Sequence, residues 1–323
     1  VRKLKVRTNA ETPSDAKRAL NFGAEGIGLF RIEHMFYGEG SEDPLFHLQE
    51  MIMANSQEER KTSLDLLFPY MKNDIKETLR AMQGLPVTIR LMDPPLHEFI
   101  PHDVKRQKKL AEALGINAEE LERRSDALKE SNPMMGHRGV RLGITHPEIT
   151  EMQARAILEA AAELSGENVK TFPEIMIPLT GMETEYNHQE KIIREVASKI
   201  KGLDNYMVGT MMEIPRASFV ADRIAETAEF FSFGTNDLTQ MAFGFSRDDT
   251  GGFMPAYLEN ELLPEDPFAS LDEGVCELVK MGIERGRGTK PDLKVGICGE
   301  HGGEPKSVHF CHNVGMDYVS CSP

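Results

Sequence analysis

The chain has 323 residues, 40% hydrophobic and 28% charged, the balance of a globular protein with one extended core or two small ones. Its 37 basic and 52 acidic residues leave a net charge of −15, which excludes the broad basic field that nucleic-acid binding needs. No stretch approaches the roughly 18 apolar residues of a membrane span, so neither nucleic acid nor membrane is expected as a partner.

In chain order, short apolar, β-branched runs alternate with amphipathic stretches. The opening reads as a strand over 4–9 ("LKVRTN") rather than as a signal peptide. Further strands are expected at 26–30, 87–92, 139–143 ("GVRLG") and 174–179, then at 206–214, 230–236 and 294–299 ("KVGICG"), the last of the series. Between them lie helical patterns such as "SQEERKTSLDLLFPYMKNDIKETLRAM" and "EITEMQARAILEAAAEL". Such alternation predicts a parallel sheet with helical crossovers. Eight units in this length fit a (β/α)8 TIM barrel, one domain spanning 1–323. Two stretches exceed ordinary connections, 94–135 and 244–267. Each follows a strand, so both are expected to decorate the C-terminal face of the barrel as long βα loops. The basic run "KRQKK" at 105–109 reads as a solvated helix face.

The four cysteines (Cys276, Cys298, Cys311, Cys321) show no pairing pattern, which fits a reducing, cytoplasmic setting. His309, Cys311 and His312 lack a matching ligand pair for zinc. Both ends of the sequence read as cuts from a larger protein.

A barrel collects its functional residues where strands end. Reading those ends in order gives Arg31, Arg90 and Arg138, then Glu213, then Asn236 and Asp237, and last Cys298. Arginine grips carboxylate and phosphate oxygens as a rigid fork, so several arginines at one mouth predict a substrate carrying such anions. Glu213 and Asp237 are hard oxygen ligands suited to Mg²⁺. "FGTND" turns from strand into helix, so the amides of Gly234, Thr235 and Asn236 are expected to face an anion near a helix N-terminus. Cys298 closes an apolar strand inside "GICGEHGG", where the glycines are expected to leave the thiol accessible as acid or base. Each signal has a plainer reading. A strand-end arginine is most often a surface ion pair, Glu213 before Pro215 can open a helix, and "TND" is a good capping sequence. A lone cysteine at a strand end is most often core filler. What argues for function is the coincidence of all of them at consecutive strand ends, because unpaired buried charge is costly.

The blocks "GAEGIGLFRIEHMF", "IRLMDPPLHEF", "NPMMGHRGVRLG", "GTMMEIPRA", "FFSFGTNDLTQMAFGFSRDD" and "GICGEHGGEPKSVHFC" together resemble the C-terminal domain of the pyruvate, phosphate dikinase family. "FGTNDLTQ" and "GICGE" belong to the wider phosphoenolpyruvate-utilising superfamily, which includes phosphoenolpyruvate synthase and enzyme I of the sugar phosphotransferase system. The resemblance implies a (β/α)8 barrel that binds phosphoenolpyruvate or pyruvate with Mg²⁺. Arg31 and Arg90 would then grip the phosphoryl group. Glu213 and Asp237 would ligate the metal, Gly234 to Asn236 would hold substrate oxygens, and Cys298 would be the proton donor. Arg138 and Arg247 match arginines near the same pocket. The resemblance also implies a homodimer, and a swivelling phosphohistidine domain and an ATP-grasp domain that these 323 residues do not resemble. Two departures stand out. Ile32 replaces an expected threonine, and the family continues past "SCSP". A Mg²⁺-dependent lyase that adds pyruvate enolate to an aldehyde, and a non-catalytic docking module, remain as rival readings. An aldolase would not need Cys298 together with several phosphate-reading arginines.

Overall fold

The computed structural model describes residues 3–38 and 40–322. Eight parallel strands close into a barrel in chain order: β1 (Lys5–Asn9), β2 (Ile27–Arg31), β3 (Pro86–Arg90), β4 (Phe172–Ile177), β5 (Met207–Met212), β6 (Phe230–Phe233), β7 (Lys294–Ile297) and β8 (Tyr318–Cys321). Closure runs from Lys5 opposite Tyr318 to Thr8 opposite Cys321. The helices ring the strands as the alternating pattern predicts, which makes the fold a (β/α)8 barrel. Side-chain caps at Thr12, Ser56, Asp103, Asn117 and Asp272 accept backbone N–H groups at the starts of their helices.

Two expected elements are corrected. The run 139–143 is not a strand but lies in the helix Val140–Thr145, entered through Gly139 at φ +56°. A five-residue apolar run does not by itself distinguish a buried strand from a helical turn. The eighth strand is instead Tyr318–Cys321, so Cys298 follows β7 and is not on the last strand.

Along the barrel axis, Leu29, Met176, Met211, Phe230 and Cys298 form a cluster of their own, separate from the larger core between strands and helices. Gly296 makes room for the ring of Tyr318, which a side chain at that position would strike. Near the strand starts, charge seals the barrel. Arg7 Nη1 lies 2.9 Å from Glu174 Oε2, Thr88 Oγ1 donates to the same oxygen at 2.8 Å, and Lys294 pairs with the other carboxylate oxygen. Tyr318 lies under the Arg7 guanidinium at 3.9 Å. With one end plugged by paired charge, the residues at the strand ends form the accessible mouth.

The 94–135 insertion carries the helices Val104–Leu114 and Ala118–Ala127. The basic run sits on the first of these, with Lys105, Arg106, Lys108 and Lys109 exposed. The 244–267 insertion holds the helix Met254–Glu259 and packs Phe245 against Phe243, Phe253 and Tyr257 at ring centroid distances of 5.1, 4.9 and 5.8 Å. No described helix is long and apolar enough to cross a membrane, and the described residues contain no group of three or more His, Cys, Asp or Glu side chains placed to hold a metal ion, so a metal at the mouth would have to complete its shell with water and substrate oxygens.

Candidate functional site

The strand ends bring together two arginines and a set of carboxylates that the sequence names only in part. Arg90 ends β3 and is buried. Its Nη2 pairs with Glu33, and its Nη1 lies 3.5 Å from Asp93 Oδ2. Arg138 sits just before Gly139, where the 94–135 insertion returns to the barrel. It is only 3% exposed, with Nη1 3.6 Å from Asp93 Oδ2 and Nη2 3.4 Å from Asp237 Oδ1. Burial works against the charge on both guanidiniums. The facing carboxylates, Glu33, Asp93 and Glu213 for Arg90 and Asp93, Asp237 and Glu213 for Arg138, overcome it and hold both pKa values above the ordinary arginine value.

Glu213 follows β5 and is fully buried. Its Oε1 accepts the Leu179 N–H at 2.6 Å, and Leu179 itself adopts φ +63°, a strained conformation for a branched side chain. Its Oε2 has no hydrogen-bond partner. Burial, then the nearby Asp237 and Asp93, push the Glu213 carboxyl well above the usual carboxylate range, against the pull of Arg90 and Arg138. Four carboxyl groups (Glu33, Asp93, Glu213, Asp237) thus face two arginines, and the raised pKa of Glu213 marks a carboxyl whose ionised form a cation would favour. An orphaned buried carboxylate oxygen beside a second, part-exposed carboxylate is a donor set that fits a hard divalent ion such as Mg²⁺.

Asp237 occupies the first turn of the helix Thr235–Phe243, which starts directly after β6. The amides of Thr235, Asn236 and Asp237 stand ahead of the first intrahelical bond, from Leu238 N–H to the Gly234 carbonyl at 3.1 Å. Gly234 departs from the sequence reading, because its own N–H donates to the Met212 carbonyl at 3.1 Å and so belongs to the strand ladder. Glycine is still required there, since a Cβ would approach Met211 Sδ to 2.7 Å and Glu213 Oε2 to 3.1 Å. Thr235 Oγ1 lies 2.7 Å from Nδ1 of the buried His301, whose Nε2 is 2.9 Å from the Pro267 carbonyl. With Nε2–H donating to that carbonyl, Nδ1 is left to accept from the threonine, which fixes the turn into the helix. Asn236 Oδ1 accepts the Glu300 N–H at 3.2 Å, tying this turn to the loop after β7.

Beside this cluster a cavity of about 340 Å³ is lined by Asn9, Glu11, Arg31, Asn236, Cys298 and Glu300, among others. Arg31 ends β2 and is held at 2.5 Å by Glu11, whose other oxygen lies 2.9 Å from His34 Nδ1. Arg247 lies at the exposed rim, paired with Glu300 and with its amide on Gln240 Oε1 at 2.9 Å, outside the buried group. Cys298 is 3% exposed, less accessible than its glycine-rich setting suggests, because the sulfur packs on the axial cluster of Leu29, Met176, Met211 and Phe230. It nevertheless lines the cavity, so it both caps the core and faces the mouth. Burial pushes its pKa up to about 11, with Ser232, Arg90 and Arg31 pulling the other way. The thiol therefore carries its proton at neutral pH, the state a donor needs. Iodoacetamide labelling of Cys298, followed by mass spectrometry, should accelerate about tenfold per pH unit from neutrality toward the pKa of about 11, because the thiolate reacts. A rate that levels off near pH 8 would mean an ordinary, solvated thiol.

The family model for the PEP-binding domain of PEP-utilising enzymes matches residues 1–323. The chain belongs to this family. It is 56% identical to the chloroplastic pyruvate, phosphate dikinase of Mesembryanthemum crystallinum over 330 residues. It is also 56% identical to pyruvate, phosphate dikinase 1 of Arabidopsis thaliana over 330 residues, and 53% identical to the Clostridium symbiosum dikinase over 328. In each case the whole chain aligns and spans about a third of the relative, 35%, 34% and 37% respectively.

Within the family's barrel, the residues that sequence reasoning missed are the partners of the ones it found. Asp93 and Glu33 hold Arg90, and Glu11 holds Arg31. Asp93 was findable, since it lies three residues beyond Arg90 at the same strand end. Glu11 was findable in the same way, two residues beyond the end of β1, although its pairing with Arg31 is made only by folding.

Proposed function

We propose that this barrel is the pyruvate/phosphoenolpyruvate half-site of a pyruvate, phosphate dikinase. The observation that carries the reading is the mouth itself. There a buried carboxylate with an unpartnered oxygen faces two buried arginines, and a buried thiol lines the adjoining cavity together with Arg31 and Asn236. The family match and the dikinase names of the relatives support it. In the full reaction, pyruvate, ATP and phosphate interconvert with phosphoenolpyruvate, AMP and diphosphate through a phosphohistidine. The swivelling domain that bears it, and an ATP-grasp domain, lie outside these 323 residues in this reading.

Glu213 and Asp237 would hold Mg²⁺, which when bound supplies positive charge opposite the enolate and phosphoryl oxygens. Arg31 and Arg90 take the phosphoryl group. For Arg31 this means exchanging Glu11 for the substrate, whereas Arg90 keeps Glu33 on one nitrogen and offers the rest of its fork. The leading amides of the helix Thr235–Phe243 add donors for anionic oxygen. Cys298 gives its proton to the methylene carbon of the enolate when phosphoenolpyruvate becomes pyruvate, leaving the thiolate, and in reverse it is the thiolate that takes a proton from the methyl group. Catalysis here is chiefly positioning and electrostatic stabilisation of developing negative charge. A lyase on the same metal would leave the thiol and the second arginine without a task.

The reading is tested on the chain itself. Calorimetry should show Mg²⁺-dependent binding of phosphoenolpyruvate, and NMR should show deuterium uptake into the pyruvate methyl group. A chain that does neither is not this half-site. Arg90→Lys separates charge from geometry, since lysine keeps the charge and loses the planar fork. We expect phosphoenolpyruvate affinity to fall about tenfold, the loss of roughly one charge-assisted bond. Wild-type affinity in that variant would show that the fork is not used.

A further inference from the structure

Asp93 stands at an unusual junction. Its Oδ2 is shared between two guanidiniums, 3.5 Å from Arg90 Nη1 and 3.6 Å from Arg138 Nη1. Its backbone carbonyl accepts the Gly139 N–H at 3.1 Å, on the residue after Arg138. Gly139 lies so close that a Cβ there would sit 2.9 Å from Asp93 Oδ1 and 2.9 Å from Leu179 Cβ, at a φ of +56° that disfavours a side chain in any case. Arg90 ends a barrel strand, whereas Arg138 arrives at the close of the long 94–135 insertion. Asp93 is therefore where that insertion is fastened back onto the barrel, by main chain and side chain together.

The fastening leaves one edge of Arg138 free. Its Nη1 donates weakly to Met134 Sδ at 3.8 Å and forms an ion pair with Asp93 at 3.6 Å, while Nε and Nη2 have no hydrogen-bond acceptor although the residue is 3% exposed. Asp237 lies 3.4 Å from Nη2, an ion-pair distance rather than a closed hydrogen bond. A buried guanidinium with two orphaned donors is prepared for an incoming anion.

We propose that Asp93 is a positioning residue that orients the free edge of Arg138, and fixes its spacing from Arg90, so that both grip the anionic oxygens of one ligand. This rests on the reading of the mouth as a phosphoenolpyruvate site. Positioning and simple electrostatics make opposite predictions. Asp93 is itself an anion beside an anion-binding site, so on charge alone its removal strengthens phosphoenolpyruvate binding. If it holds the arginines in place, its removal weakens binding.

The experiment is a double-mutant cycle on the 323-residue chain, reading phosphoenolpyruvate affinity by calorimetry with Mg²⁺ in wild type, Asp93→Asn, Arg138→Lys and the double variant. Thermal unfolding of each checks that the barrel persists. We expect Asp93→Asn to lose about tenfold in affinity, Arg138→Lys a similar factor, and the pair little more than either alone, because one acts through the other. Binding by Asp93→Asn as tight as wild type or tighter overturns the proposal. So do losses that multiply in the double variant, which would give Asp93 an independent role. A wild-type chain that binds no phosphoenolpyruvate overturns instead the site reading beneath it. Should Asp93→Asn unfold, Asp93→Glu keeps the charge but shifts it by one methylene. It must then lose affinity too, and wild-type binding by it rejects the proposal.

Discussion

Replacing Cys298 by alanine should reduce proton exchange at the pyruvate methyl group by roughly 10²–10⁴-fold, the contribution of a positioned general acid–base. Phosphoenolpyruvate and Mg²⁺ should bind nearly as before. The polar contacts of the sulfur are weak, with the Phe233 carbonyl at 3.8 Å and with Ser232, and burial holds its pKa at about 11, so it carries no charge at neutral pH. Its place explains the division of labour. The barrel packs the thiol against Met176, Met211 and Phe230, so solvent does not ionise it, while one side remains open to the cavity that Arg31 also lines. Serine should restore little, because a hydroxyl ionises far less readily than a thiol. Deuterium uptake into pyruvate, followed by NMR, decides the matter. Exchange by Cys298→Ala as fast as by wild type would return this cysteine to the role of core filler.

The second large effect belongs to Glu213. Glu213→Gln should remove Mg²⁺-dependent phosphoenolpyruvate binding, a loss of about 100-fold or more if the metal supplies several kcal/mol of charge stabilisation. Chelating Mg²⁺ should weaken wild type and leave the variant unchanged. The metal-free variant should also be the more stable protein. In the folded chain, burial and the neighbouring Asp237 and Asp93 raise the Glu213 pKa well above its unfolded value. Between those two values the native state binds the extra proton, so the metal-free wild type loses stability as pH rises through that window. Glutamine does not titrate and still offers an oxygen to Leu179 N–H. At neutral pH an increase on the order of 2 °C in unfolding temperature corresponds to about 1 kcal/mol in a chain of this size. A gain in stability with a loss of function is the mark of a site that spends stability on its ligand. A variant less stable than wild type, or one that still responds to Mg²⁺, would contradict this role.

Much of the barrel is written in local pattern. Runs such as "VTIRLM" and "EIMIPL" are short, apolar and separated by amphipathic helices, which is all a parallel strand requires. The failures have physical causes. "GVRLG" contains the residues of a strand, but the Asp93 carbonyl and the left-handed Gly139 start a helix there, a tertiary contact with no local signature. "YVSC" has only four residues and follows a polar turn near the end of the sequence, so nothing but its pairing with β1 and β7 reveals it as a strand. The strand-end rule picks out Arg31, Arg90, Glu213, Asp237 and Cys298, and each does lie at or just beyond a strand end, because the barrel converts position along a strand into position at the mouth. Which carboxylate each arginine meets, and how deeply Cys298 is packed, depends on strands far apart in sequence. The spent amide of Gly234 shows the same limit. The motif locates the turn, but the partner of each N–H is decided by the neighbouring strand.

A crystal structure of the chain grown with phosphoenolpyruvate and Mg²⁺ should show one ligand bridging these groups. It should place the metal at about 2.1 Å from oxygens of both Glu213 and Asp237. Arg31 should be released from Glu11 onto the phosphoryl oxygens alongside Arg90, and the methylene carbon should face the Cys298 sulfur. A metal more than about 2.5 Å from both carboxylates, or a ligand seated away from the thiol, would contradict this bridging.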